Sequence, residues 1–171
     1  MAESGIFYQD ASDPGIDEVN SVGKTVIICL GNRYLKDDGL AIQVADELNE
    51  RSLGGNVLLD VCQTMDLSLL GRHRHASKII VVDAMKGGAP PGTISKWTIA
   101  RREAPLTALP GLHGMELHDL FDLASEAGLL TCPVTIIGVE PKDCRVGEGL
   151  SAELMSAVPS VIAEVERELG R

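Results

Sequence analysis

Three carboxylates in this chain sit where acid–base or metal chemistry could be done: the adjacent pair Asp37 and Asp38, and Asp83. The pair closes a turn, Gly31-Asn32-Arg33-Tyr34-Leu35-Lys36, that follows the apolar run Thr25-Val26-Ile27-Ile28-Cys29-Leu30. An aspartate at a helix start is ordinarily a cap, accepting backbone N–H bonds that the first turn leaves open. One aspartate meets that need, so the second is left over. Asp83 ends another run, Ile79-Ile80-Val81-Val82, whose packing does not require it. Two carboxylates facing one crevice repel unless one is protonated or a cation lies between them, and a divalent metal would remove the conflict. The competing reading has Asp37 and Asp38 capping the helix and Asp83 opening a turn. Spacing alone does not choose between the two.

A transition metal would take nitrogen or sulfur as its third ligand. His113 closes a long loop just ahead of a helix, from where its ring can reach back over a sheet. His118 falls inside that helix beside Leu117 and reads as a surface or boundary residue. His73 and His75, flanked by Arg72 and Arg74, read as solvated loop residues. Elimination leaves His113, by a narrow margin. Asn32 and Asp37, next to the leftover carboxylate, are candidates for touching substrate or bracing the ligands, with a plain turn residue the alternative at Asn32. Other chemistries lack their motifs: the chain has no G-x-G-x-x-G, Walker loop, G-x-S-x-G elbow or H-E-x-x-H.

Asp38 and Asp83 meet only if the two runs are neighbouring parallel strands. β-Branched runs over about residues 24–31, 57–61, 78–84 and 133–139 read as buried strands, and 93–99 alternates as an edge strand does. Helices are expected over about 38–51, 66–71 and 116–127, with a last one capped by Ser151 and kinked or interrupted at Pro159. Residues 100–111 carry two prolines and no period, as a long loop would. This alternation predicts an α/β fold, a three-layer α/β/α sandwich around a mostly parallel, doubly wound sheet of about five strands. In strand order 2-1-3 the first and third strands are neighbours, and their carboxyl ends flank the crevice where such folds bind ligands.

The length of 171 residues fits a single α/β domain, placed at residues 23–171. A net charge of −10 argues against nucleic acid and anionic membrane as partners. Half of that excess lies in residues 1–22, where Glu3, Asp10, Asp13, Asp17 and Glu18 meet no Lys or Arg, as in a flexible acidic arm. Cys29, Cys62, Cys132 and Cys144 show no C-x-x-C spacing and read as reduced thiols. No apolar run nears the roughly 20 residues of a membrane span, and no signal-peptide pattern opens the chain, so the expected location is the cytoplasm.

Several of these residues also fall into a known pattern. Gly31-Asn32 followed by Asp37-Asp38-Gly39 resembles the G-N-x4-D-D/E-G signature of the nickel–iron hydrogenase maturation endopeptidases. The resemblance continues, in family order, through Val81-Val82-Asp83-Ala84, Pro91-Gly92-Thr93 and His113-Gly114. Ile137-Gly138-Val139-Glu140-Pro141 and Gly149-Leu150-Ser151 complete it. Cys29 and Ala41 stand where glycine is common in the family, and Gly111 where Ser or Thr is frequent.

The resemblance implies an aspartic-type endopeptidase that removes a C-terminal extension from a hydrogenase large-subunit precursor after nickel insertion. The precursor is then the partner and brings the nickel, and no organic cofactor is involved. Carried over residue by residue, Asp38, Asp83 and His113 contact that nickel, and Asp38 is the candidate catalytic group. The alternatives are a non-catalytic binding module or chaperone for the same precursor, and a phosphate-handling protein using the Gly31-Asn32 turn. Carboxylates beside that turn disfavour an anion.

Overall fold

The apolar runs form the strands their composition demands, and these lie in the order that brings Asp38 and Asp83 to one edge. The computed structural model describes residues 6–8, 21–51, 53–99 and 117–171. In chain order the elements are β1 (Ile6–Tyr8), β2 (Thr25–Leu30), a 3-10 turn (Lys36–Gly39), α1 (Leu40–Asn49), β3 (Val57–Cys62) and α2 (Leu67–Arg72). They continue with β4 (Lys78–Ala84), β5 (Ile94–Ile99), α3 (Leu117–Glu126), β6 (Val134–Val139) and α4 (Ala152–Glu168). The sheet runs β1-β3-β2-β4-β6-β5, with every pairing parallel except β5 on β6. The segment β3-β2-β4 is the expected 2-1-3 order, with Cys29 opposite Val82 in register.

Strand side chains alternate between faces, and each face is covered by two helices. Ile27, Cys29, Ile80 and Val82 pack with the apolar stripes of α1 and α4. Val26, Ile28, Ile79 and Val81 pack on the other side with α2 and α3, whose buried contributors include Leu69, Leu70, Phe121 and Ala124. Burial of each large aliphatic side chain contributes about 2 kcal/mol, so both layers are anchored by the same strands. Asp83 falls on the α2/α3 face, in step with Ile79 and Val81, at the carboxyl end of β4. The hydrophobic pattern thus sets the side on which this carboxylate emerges.

Three local expectations differ from the structure. Ile6–Tyr8, within the segment anticipated as an arm, is an edge strand, with Phe7 opposite Asp60 of β3. The sheet therefore has six strands, β1 being the addition. Helix α4 continues through Pro159 rather than being interrupted there. Pro159 and Met155, whose carbonyl loses its N–H partner, both face solvent, where water can serve that carbonyl.

The third difference is His73, which is wholly buried rather than solvated. Its Nε2 lies 2.7 Å from Oδ2 of the buried Asp60 in β3. Arg72 Nη1 reaches the same oxygen at 3.5 Å, and the Cys62 thiol donates to Asp60 Oδ1 at 3.3 Å. His75, by contrast, is exposed as expected. Buried polar groups that lose their partner cost far more than surface ones. His73→Ala is therefore expected to destabilise the fold by about 3 kcal/mol, a drop of roughly 10 °C in Tm for a chain of this size. Thermal unfolding checks this; a shift below about 2 °C contradicts it.

Candidate active site

Asp38 is delivered by the turn after β2, and the fit of that turn depends on two glycines. A Cβ on Gly31 would lie 2.0 Å from the Asp38 carbonyl oxygen, so only glycine lets the turn fold back onto the strand end. A Cβ on Gly39 would lie 3.3 Å from Arg33 Cα, so the two ends of the turn are also tightly apposed. Asn32 organises the middle: its Oδ1 accepts the Tyr34 N–H at 2.9 Å and its carbonyl accepts the Leu35 N–H at 3.1 Å. That is an Asx turn, and it leaves the amide nitrogen as the group Asn32 can offer a substrate.

The neighbouring strand delivers the second carboxylate. Asp38 and Asp83 line one cleft of about 740 Å³ at the carboxyl end of the sheet, on the α2/α3 side. Leu30, Leu35, Leu67 and Leu120 supply apolar wall, and Asp66 adds a third carboxylate to the rim. No Lys or Arg is among the described lining residues. Asp83 is buried, and its Oδ2 has no hydrogen-bond partner among the described residues. Burial, with the negative charge of Asp38 added to it, pushes the Asp83 carboxyl up to about 8. A proton held on Asp83 relieves the repulsion between the pair.

Asp37 does not cap its own helix. Neither the 3-10 turn nor α1 has a side-chain cap, and the fully buried Asp37 carboxylate points instead into the loop between β6 and α4. It accepts four hydrogen bonds there, from the backbone N–H groups of Lys142, Asp143 and Ser151 and from the Ser151 hydroxyl. Burial alone would raise its pKa, but these donors outweigh it and hold the carboxyl below its usual range. The thiols near the site are not poised as nucleophiles: burial pushes Cys62 and Cys144 up.

His113 lies outside the described residues, as does the 100–111 loop, and of His118 only the backbone, in α3, is described. Among the described residues no third His, Cys, Asp or Glu joins Asp38 and Asp83 in a metal-sized group. Two features of the site escape a reading of the sequence. Asp66 gives the local signal of a helix cap, and it does cap α2 by accepting the Leu69 N–H at 2.8 Å, yet it also lines the cleft. The partners of Asp37 are more than a hundred residues away in sequence, with no local signal at all.

A mostly parallel α/β/α domain with two carboxylates in the cleft at the carboxyl ends of its strands belongs to the class of open α/β proteins that bind ligands there. The comparisons narrow that class. A family model described as hydrogenase maturation protease, HycI, matches residues 42–168. This chain belongs to the hydrogenase maturation protease family, and it is a peptidase.

The hydrogenase expression/formation protein HupD of Rhodobacter capsulatus is 28% identical over 153 residues, covering 85% of this chain and 71% of HupD. The crystal structure of a hydrogenase 2 maturation peptidase from a Thaumarchaeota archaeon is 28% identical, with TM-score 0.68, over 86% of this chain and 98% of that one. The endopeptidase HybD of E. coli, 22% identical over 85% of this chain and 91% of its own, shares the fold with TM-score 0.73. The resemblance noted from the motifs is thus confirmed at the level of family and fold, and the phosphate-handling and purely binding alternatives give way to a protease.

Proposed function

We propose that this protein trims the C-terminal extension from a nickel-loaded hydrogenase large-subunit precursor, recognising the nickel through Asp38, Asp83 and His113. One observation carries the reading. Asp38 and Asp83 face the same cleft, and Asp83 keeps a buried oxygen with no partner among the described residues. Buried polar atoms are nearly always paired, so an orphan beside a second carboxylate marks a position that a ligand completes. A divalent cation arriving with the substrate supplies that partner and cancels the repulsion, displacing the proton from Asp83.

Leu120, in the first turn of α3, lines the cleft, and His113 precedes Leu117 by four residues, a reach of at most about 14 Å. Two carboxylates and an imidazole suit a borderline cation such as nickel and leave positions open for peptide. Asp38 then serves as general base: it takes a proton from the water that attacks the scissile carbonyl and returns it to the departing amine. Asp83 holds the cation that polarises that carbonyl.

The cytoplasm is the proposed site of action, in keeping with cysteines present as thiols. No described helix is long and apolar enough to cross a membrane. The test is to incubate the purified protein with nickel-loaded and nickel-free precursor and to follow precursor mass. Loss of a C-terminal peptide from the nickel-loaded form alone is the expected result; an unchanged mass, or a stable complex without cleavage, overturns the proposal.

A further inference from the structure

The turn that carries Asp38 is held by a loop more than a hundred residues away in sequence. Beyond the four bonds to the Asp37 carboxylate, at 2.6 to 3.0 Å, the Asp37 N–H donates to the Asp143 carbonyl at 3.1 Å. Leu35 forms a parallel bridge with Gly147: the Lys36 N–H donates to the Gly147 carbonyl at 2.8 Å, and the Gly147 N–H to the Tyr34 carbonyl at 2.9 Å. Lys36 itself adopts φ 48°, a conformation unfavourable for a residue with a side chain, and its ammonium lies 2.5 Å from Asp143 Oδ2. The loop over residues 142–151 therefore grips the three residues that precede Asp38. Within this grip Asp37 is the hub, since its one carboxylate joins Lys142 and Asp143 at one end of the loop to Ser151 at the start of α4.

We propose that Asp37 is a positioning residue, whose carboxylate, held by the 142–151 loop, sets the pose in which Asp38 faces Asp83. The inference rests on the reading of Asp38 as the reacting carboxylate. Its physical basis is an acceptor count. Three N–H groups and one hydroxyl converge on Asp37, and an ionised carboxylate accepts from all four. An asparagine there has one acceptor oxygen, and its amide N–H2 would face donors, so the turn must shift. Small displacements of a reacting group cost rate far more than binding.

The test is a double-mutant cycle in single-turnover processing of nickel-loaded precursor, with enzyme in excess so that losses of a thousandfold stay measurable. Asp37→Asn is expected to lower the maximal rate by about 50-fold while the enzyme concentration giving half that rate changes less than about twofold. Added to Asp38→Asn, it is expected to cost nothing further, because it acts through that carboxylate. Ser151→Gly, a replacement that helix N-caps tolerate, removes the hydroxyl bond to Asp37 together with the cap bond accepted from the Leu154 N–H, and keeps the Ser151 backbone N–H bond. It should slow the wild-type background about threefold and leave the Asp38→Asn background unchanged, and it decides the matter if Asp37→Asn does not fold.

Losses that multiply in the double variants, or an effect confined to half-saturation, overturn the positioning role while leaving the site reading intact. An Asp38→Asn protein that processes precursor at the wild-type rate overturns both.

Discussion

Asp38→Asn is expected to slow precursor processing about a thousandfold while the chain folds normally. The magnitude is that of removing a general base, the role proposed for Asp38. The fold is spared because the turn is shaped by Gly31, by the Asx turn of Asn32 and by Asp37 with its loop, and Asp38 itself is only half-buried. Amide and carboxylate are nearly the same size, so the change removes charge and basicity without opening a cavity. Precursor mass against time gives the rate, and the thermal midpoint shows whether the fold is intact. A loss of less than tenfold with an unchanged Tm contradicts the role assigned to Asp38.

The second large effect belongs to Asp83 and depends on pH. Its carboxyl titrates near 8 in the folded protein against 3.8 ordinarily, so the folded state binds the proton more tightly than the unfolded one. The stability this confers is complete below about pH 4, declines through the interval up to about pH 8, and is gone above it. Asp83→Asn removes this dependence. At pH 9 the variant is expected to be more stable than the native free protein by on the order of 3 kcal/mol, with the gap closing towards acid. Under the proposed function the same variant also loses one of the groups assigned to the precursor's nickel, and should process precursor about a thousandfold more slowly.

Cation binding shares the linkage. Because a cation must displace the Asp83 proton, affinity of the free protein for cadmium should rise about tenfold per pH unit below 8 and level off above it. Melting curves and calorimetry across pH 5 to 9 measure both effects. Stability differences and cadmium affinities that stay flat over that range would contradict the assigned protonation.

The sequence conveys the part of the site that depends on strand ends and little of what braces it. β2 and β4 are legible because unbroken β-branched runs that end in polar residues have few other structures open to them. Their adjacency follows from the usual order of doubly wound sheets, so the meeting of Asp38 and Asp83 could be anticipated. The role of Asp37 could not. A helix-start aspartate gives the same local signal whether it caps its own helix or, as here, accepts bonds from Lys142, Asp143 and Ser151. His73 looked like a loop residue because its partner, Asp60, lies in the middle of an apolar strand and carries no sign of pairing. Pro159 looked like a break because its exposure is a property of the packed helix rather than of the local pattern.

Seen in the folded chain, much of the family pattern is scaffolding. Gly31 admits the turn and Asp37 locks it. Glu140 clasps the turn after β4, its carboxylate accepting the Gly87 N–H at 2.7 Å and the Ala89 N–H at 3.2 Å. Each clasp lies beside one of the two cleft carboxylates, which places the rigidity of the domain where a cation would need its ligands held still.

In the proposed function Asp38 and Asp83 act together on one cation. Crystals of the free protein, soaked in cadmium as a stand-in for the nickel of the substrate, test it by anomalous diffraction. A single strong peak within coordination distance of both carboxylates is expected. A peak bound elsewhere with the cleft empty at saturating cadmium, or one that touches Asp83 with Asp38 turned away, would contradict it.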